Sequence, residues 1–346
     1  MNISSQFQPI RTNIGSENQF QPLGLDVGNG ATKFVTHDCE ILIPSYVHSI
    51  HDIGSTDPDL GLIEYLGGDR TDLIGAKWFA GKSAAQVAPL TFQRVVDDAK
   101  GKIKFALQLL TGAIETMPHQ LRWKFSIVLS SQDSQTFGDE LADAVQGVHS
   151  IRLRGTDVTQ IEIDVLSVVE EGIGAIAVAS ADIDIKGTVI VNDLGNGTLI
   201  ASVFQSGKLV DRKVILRGVE PLIDDIANHK ETRKKLNNPA RKDLIRAGIE
   251  NKTFDYGNVA VTQFNFEQIY IAELKEWIVS GLAQLLKATT EWSAGADASI
   301  AIGGGAQLPK IAPLLTAKGI TPISDSHWAN ARGLFKLAQL KLQKGG

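Results

Sequence analysis

Leu25-Asp26-Val27-Gly28-Asn29-Gly30-Ala31-Thr32-Lys33 has a second version 167 residues further on, Val191-Asn192-Asp193-Leu194-Gly195-Asn196-Gly197-Thr198. Both read Asp, an apolar residue, then Gly-Asn-Gly. Both lie between strand-like runs: Leu23-Gly24-Leu25 and Lys33-Phe34-Val35 around the first, Thr188-Val189-Ile190-Val191 and Leu199-Ile200-Ala201-Ser202-Val203 around the second. Two ordinary Asn-Gly hairpins would share the short motif. Matched strand-turn-strand context on both sides instead indicates an internal duplication.

The residue types belong together chemically. Gly-Asn-Gly suits a tight turn with positive-φ positions, and its bare backbone N–H groups approach an anion closely. An Asp at the end of the preceding strand would repel phosphate directly. Its sensible use is to hold Mg²⁺ through water, since that ion keeps much of its hydration shell. Asp26 and Asp193 are therefore the candidate metal residues, and two facing hairpins would clamp a polyphosphate.

On these residues the chain resembles the actin-like ATPase superfamily of actin, heat-shock chaperones and sugar kinases, most of all the bacterial ParM-like plasmid-segregation actins. Asp26 to Lys33, with Gly28, Asn29, Gly30 and Lys33, is similar to the family's first phosphate loop. Asp193 to Thr198, with Gly195, Asn196 and Gly197, is similar to its second. Ala301-Ile302-Gly303-Gly304-Gly305-Ala306-Gln307 resembles its adenosine loop. The resemblance spans residues 22–340 through short blocks. It departs at Asn196, where actin has an acidic residue. It implies an α/β fold of duplicated actin-like (ribonuclease H-like) domains around a nucleotide cleft, each with an inserted subdomain. It also implies ATP, or GTP, with Mg²⁺. Lys33 would neutralise charge developing on the phosphates; its alternative is a structural lysine on a strand.

Composition agrees with a globular chain. Its 346 residues are 43% hydrophobic and 21% charged, which suggests two domains. A net charge of −5 leaves no basic footprint for direct nucleic-acid binding. Cys39 is the single cysteine, so neither an intrachain disulfide framework nor a cysteine metal cluster is expected. No apolar run approaches the roughly 20 residues of a membrane span, and the N-terminus lacks a signal-peptide layout. A cytoplasmic protein is expected.

Taken in order, residues 1–21 are rich in Asn, Gln and Ser and read as a flexible tail. Residues 22–165 read as the first domain, 166–325 as the second, and 326–346 as a helix returning to the first. Ala76-Lys77-Trp78-Phe79-Ala80-Gly81-Lys82-Ser83 ends like a phosphate loop but has Ala76 where a Walker motif needs Gly, so it reads as a strand entering a turn. The spacing of Val96, Ala99, Ile103, Leu107, Leu110 and Ile114 predicts a helix over 93–117. Phe125 to Leu129 and Ile161 to Leu166 read as strands, and Phe137 to Val145 as a short helix. Residues 229–258 read as a polar outer subdomain, with the basic run His229 to Lys235 as a solvated helix face. Helices are predicted over 267–292 and 308–317, and strands at Ser299 to Ile302 and Ile320 to Ile323.

Glu170-Glu171-Gly172-Ile173-Gly174-Ala175 resembles the superfamily's strand-to-helix connection. Its small residues would let this helix cross a second one opening near Trp328, with Ala329, Ala331 and Gly333. Carried over from the family, Glu171 would orient attacking water, with Glu170 as alternative; a solvated acidic pair at a helix N-terminus is the plain reading. Asp26 and Asp193 complete the catalytic set. Leu334 to Leu342 is read as a packed helix rather than a membrane-surface one.

Three functions share this fold, and fold alone does not choose among them. A ParM-like filament-forming ATPase is favoured by length and motif likeness. It would have itself and a DNA-binding adaptor as partners, and a plasmid-segregation or related cytoskeletal role. A sugar-kinase-like phosphotransferase lacks a convincing second acid. A chaperone-like ATPase lacks a following substrate domain.

Overall fold

The computed structural model describes residues 19–50, 57–98, 100–180, 187–257 and 263–345. The tail read over residues 1–21 lies, up to residue 18, outside them, as does Ala99 of the predicted helix stripe. The chain divides into two compact units, Met1–Val168 with Leu337–Gly346, and Val169–Lys336.

The first unit runs β1 (Gln21–Val27), β2 (Ala31–Val35), β3 (Glu40–Pro44), β4 (Tyr46–Ile50), β5 (Ile63–Gly68), β6 (Lys77–Ala80), α1 (Lys82–Val87), β7 (Gln93–Arg94), α2 (Gly101–Glu115), β8 (Arg122–Ser131), α3 (Ser134–Asp143), β9 (Gly147–Leu153) and β10 (Asp157–Glu170). Its sheet has the order β3-β2-β1-β8-β10-β9-β5-β6-β4-β7. β1 pairs antiparallel with β2 and parallel with β8. Leu23, Leu25 and Val27 alternate onto the face that α2 covers with Phe105, Leu109 and Ala113, all buried.

The second unit runs α4 (Ile173–Ala179), β11 (Thr188–Leu194), β12 (Leu199–Gln205), β13 (Lys208–Ile215), α5 (Val219–Asn228), α6 (Lys230–Leu236), α7 (Lys242–Glu250), β14 (Asp255–Tyr256), β15 (Phe264–Asn265), α8 (Glu267–Trp277), α9 (Ala283–Ala288), α10 (Thr290–Ser293), β16 (Ala298–Ile302), α11 (Ile311–Ala317), β17 (Thr321–Pro322) and the start of α12 (Ala329–Gly345), whose residues from Leu337 on belong to the first unit. Its sheet order is β13-β12-β11-β16-β17. β11 is apolar on both sides because both are covered. Val189 and Val191 join a cluster with Ala175 and Ile176 of α4, whereas Ile190 and Leu194 join one with Leu222, Ile223 and Leu285.

Both sheets therefore open the same way. A hairpin and a third antiparallel strand lie to one side, and a parallel strand joins the hairpin's first strand on the other: β3-β2-β1-β8 and β13-β12-β11-β16. The architecture is α/β and duplicated. The hairpins correspond residue by residue: Val27 pairs with Thr32 and Leu194 with Leu199, leaving four-residue connections in both.

Several local expectations change. The helix predicted over 93–117 begins only at Gly101. Gln93 and Arg94 pair with Val47 and Tyr46 as a strand, so tertiary pairing overrides the apparent helical period, and Val96 is exposed. The 267–292 helix is broken by a π-helical turn at Ile278–Leu282. The 308–317 helix starts at Ile311, because Gly304–Gln307 forms a separate 3₁₀ turn first. Strand β10 is 14 residues long and antiparallel to β9, a strand with no sequence-level expectation. In α12, Leu334 and Ala338 are fully buried, and Lys336 donates to the Ala177 carbonyl at 2.9 Å. Among the described residues no helix is long and apolar enough to cross a membrane. Lys230, Arg233, Lys234 and Lys235 of α6 are exposed.

Candidate functional site

Asp26, one residue before the end of β1, lies opposite Lys33 on β2, and the register sets their chemistry. The Lys33 ammonium lies 2.9 Å from Asp26 Oδ2, with both side chains largely buried. Ser130 Oγ donates to Asp26 Oδ1 at 3.5 Å. Beyond them, Gly28 N–H donates to the Ala31 carbonyl at 3.2 Å. Ser45, fully buried, fastens this hairpin: its hydroxyl donates to the Gly28 carbonyl at 2.5 Å and its N–H to the Gly30 carbonyl at 3.2 Å.

The second hairpin repeats the closure, with Gly195 N–H donating to the Thr198 carbonyl at 3.0 Å. Gly28, Gly195 and Gly197 do not adopt the positive φ expected of them, because a four-residue connection does not need the two-residue primed turn. Gly28 and Gly195 serve close approach instead. A Cβ would sit 2.8 Å from the Ala31 oxygen in one and 2.9 Å from the Thr198 oxygen in the other. Lys33 has no counterpart here; the residue opposite Asp193 is Ile200.

Three N–H groups at the start of α5 hold the second hairpin. Gly218, Val219 and Glu220 donate to the carbonyls of Gly197, Gly195 and Asn196 at 3.1, 3.0 and 2.8 Å. The Asn196 side chain is held separately by Arg246 of α7. The glycine loop after β16 belongs to the same assembly. Gly303 has φ +85°, and a Cβ on it would collide with Asp193 Oδ1; one on Gly305 would come within 2.8 Å of Leu194. Gly303, Gly305 and Asp193 are thus packed together, with Gly304 and Gln307 on the 3₁₀ turn.

The two glutamates separate. Glu170 ends β10 with its carboxylate 3.4 Å from Arg212, both side chains 15% exposed. Arg212 also binds the Glu171 carbonyl at 3.2 Å and Ser202 Oγ at 2.9 Å. Gly172 follows at φ +99°, turning the chain into α4. Glu171 therefore sits in the turn itself, anchored by its backbone.

Residues 24–174 match the family model described as the actin-like proteins' N-terminal domain. The fold is actin-like. Solved structures similar to the whole chain agree. An apo ParM protein of pSK41 has a TM-score of 0.65 at 19% identity, covering 94% of this chain and 98% of that one. Bacillus thuringiensis ParM with ATP has 0.68 at 16%, covering 94% and 99%. The archaeal actin homologue Ta0583 in complex with ADP has 0.70 at 17%, covering 92% and 99%. No curated protein matches the sequence.

Within this actin-like frame, sequence reasoning missed Ser45, Ser130, Gly218 and Arg246. Only Gly218 had a usable signal, a glycine just before an apolar helix. The residues present suit Mg²⁺. Among the described residues no three His, Cys, Asp or Glu converge, so there is no all-protein cage. Mg²⁺ needs only one or two carboxylates, because it keeps several waters. Asp193, half-buried at a strand end and covered on one oxygen by Gly303, is such a carboxylate. Asp26 already faces a cation, Lys33.

Proposed function

We propose that this chain is a ParM-like ATPase that polymerises with nucleotide and hydrolyses it to control filament stability. Bound ATP, with GTP as the other candidate, would lie on Asp26 to Lys33, on Asp193 to Thr198, and on Gly303 to Gln307. Residues 22–165 and 166–325, with 326–346 returning to the first, are the proposed domains. The observation carrying the reading is the duplicated hairpin, an aspartate at its strand end in each copy, together with the packing of Gly303 on Asp193. A plain pair of Asn-Gly hairpins does not call for that packing. Bacillus thuringiensis ParM was solved with ATP and with AMPPNP.

Phosphoryl transfer depends on positioning and charge stabilisation more than on covalent chemistry by the protein. Mg²⁺, with Asp26 and Asp193 as its water-mediated residues, would supply neutralising charge at the phosphates. The hairpin N–H groups and Lys33 would bind phosphate oxygens, and Glu171 would orient the water. The proposed partners are further copies of this chain and a DNA-binding adaptor, in plasmid segregation or related cytoskeletal work. Sedimentation with ATP, ADP and no nucleotide, followed by electron microscopy of the pellets, tests the proposal. ATP-dependent filaments are expected. A chain that stays in the supernatant while sugars stimulate ADP release would place it among the kinases instead.

A further inference from the structure

Asn196 lies at the tip of the second hairpin, and its surroundings define what its side chain can offer a ligand. A single nitrogen of Arg246, Nη2, donates to Asn196 Oδ1 at 2.8 Å and to Glu220 Oε2 at 2.7 Å. A guanidinium only donates, so the oxygen of the Asn196 amide must face it. The two N–H donors of Asn196 are then directed away from Arg246, and they have no partner among the described residues. Glu220 balances the arginine charge and also lies 3.5 Å from Lys242. The carbonyls of the same tip are taken by the α5 N–H groups, so the Asn196 amide donors add to the hairpin's own N–H groups.

We infer that Arg246 is a positioning residue that turns the tip of the second hairpin into a hydrogen-bond donor for an anionic oxygen of the ligand. A carboxylate at this position accepts hydrogen bonds and suits a hydroxyl or a metal-bound water. A clamped amide donates them and suits phosphate. The inference rests on the proposed nucleotide site and assigns one of its contacts. It also links helix α7, through one side chain, to the hairpin.

The test is titration of the full chain with a fluorescent N-methylanthraniloyl ATP, beside melting curves. Asn196→Asp keeps an acceptor for Arg246 but removes the donors, so it should bind about tenfold more weakly with its melting temperature undiminished. Arg246→Met should lose about as much, since the amide is then free to rotate. Asn196→Asp binding as wild type overturns the inference, as does an Arg246→Met affinity within twofold of wild type. Should Arg246→Met fail to fold, Asn196→Asp decides alone. If the wild-type chain binds no nucleotide, the proposed function fails instead, and the two failures are distinct.

Discussion

Gly174 of α4 and Gly333 of α12 meet backbone against backbone. A Cβ on Gly333 would collide with the Gly174 carbonyl oxygen, and one on Gly174 with the carbonyl oxygen of Asn330. The obstacle in both directions is main chain, which cannot rotate away as a side chain can. Gly333→Ala is expected to cost about 3 kcal/mol through overpacking. Urea denaturation checks this, and a midpoint equal to wild type would show that the helices separate freely.

Asp193→Asn keeps the shape that packs on Gly303 and removes the charge. The fold should survive, and nucleotide hydrolysis should fall at least about a hundredfold through lost metal positioning. Steady-state phosphate release, beside circular dichroism, measures both. Normal turnover by a folded variant would remove Asp193 from the metal site.

Glu171→Gln should bind nucleotide and polymerise but hydrolyse slowly, giving longer-lived filaments. Glu170→Gln should chiefly loosen Arg212, whose other bonds go to Ser202 and the Glu171 carbonyl. Comparing single-turnover hydrolysis in the two variants assigns the role. The slow phenotype in Glu170→Gln alone would reverse the assignment.

Trp277 is fully buried and donates from Nε1 to the Gly218 carbonyl at 2.8 Å. Gly218 in turn abuts the second hairpin. Trp277→Phe leaves that carbonyl without its partner, a cost of about 1–3 kcal/mol. Weaker nucleotide binding should accompany the loss of stability; calorimetry with and without ATP reads both. A variant with unchanged stability would show that the bond contributes nothing.

His149 is buried between two partners. Tyr65 Oη lies 2.9 Å from its Nδ1, and Nε2 lies 3.0 Å from the Val145 carbonyl. Because the carbonyl can only accept, Nε2 carries the proton and Nδ1 accepts from Tyr65. Burial lowers the His149 pKa from its ordinary 6.5, against an opposing contribution from the Val145 carbonyl; Asp69 and Arg70 act with opposite signs. The unfolded chain then binds the extra proton more readily. This contribution to stability is complete above pH 6.5 and is lost as pH falls from there through the depressed folded-state value. Urea midpoints between pH 7.5 and 5 should decline, and His149→Leu should flatten that decline. An equally steep decline in the variant would assign it to other groups.

The fold was largely legible because its marks are local. Two copies of one short motif, each between β-rich runs, announced the duplicated hairpins, whereas the packing of Gly303 and Gly305 on Asp193 and Leu194 had no such mark. What was not legible is long-range. Ser45 reaches Gly28 across 17 residues, Arg246 reaches Asn196 across 50, and Trp277 reaches Gly218 across 59. No periodicity encodes such pairs. Strand β9 was overlooked although Arg154 and Gly155, at φ 50° and 77°, turn it into β10. Arginine is an unusual residue for a left-handed position, so the sequence offered only half a turn signal there. At Val96 a three-four spacing was present without a helix, because strand pairing claimed the preceding residues.

The first compact unit is built from two separated pieces of chain, Met1–Val168 and Leu337–Gly346, with all of the second unit between them in sequence. On the ribosome this imposes an order in time. The second unit is fully synthesised while the first still waits for its last ten residues, so the unit begun first is the one finished last.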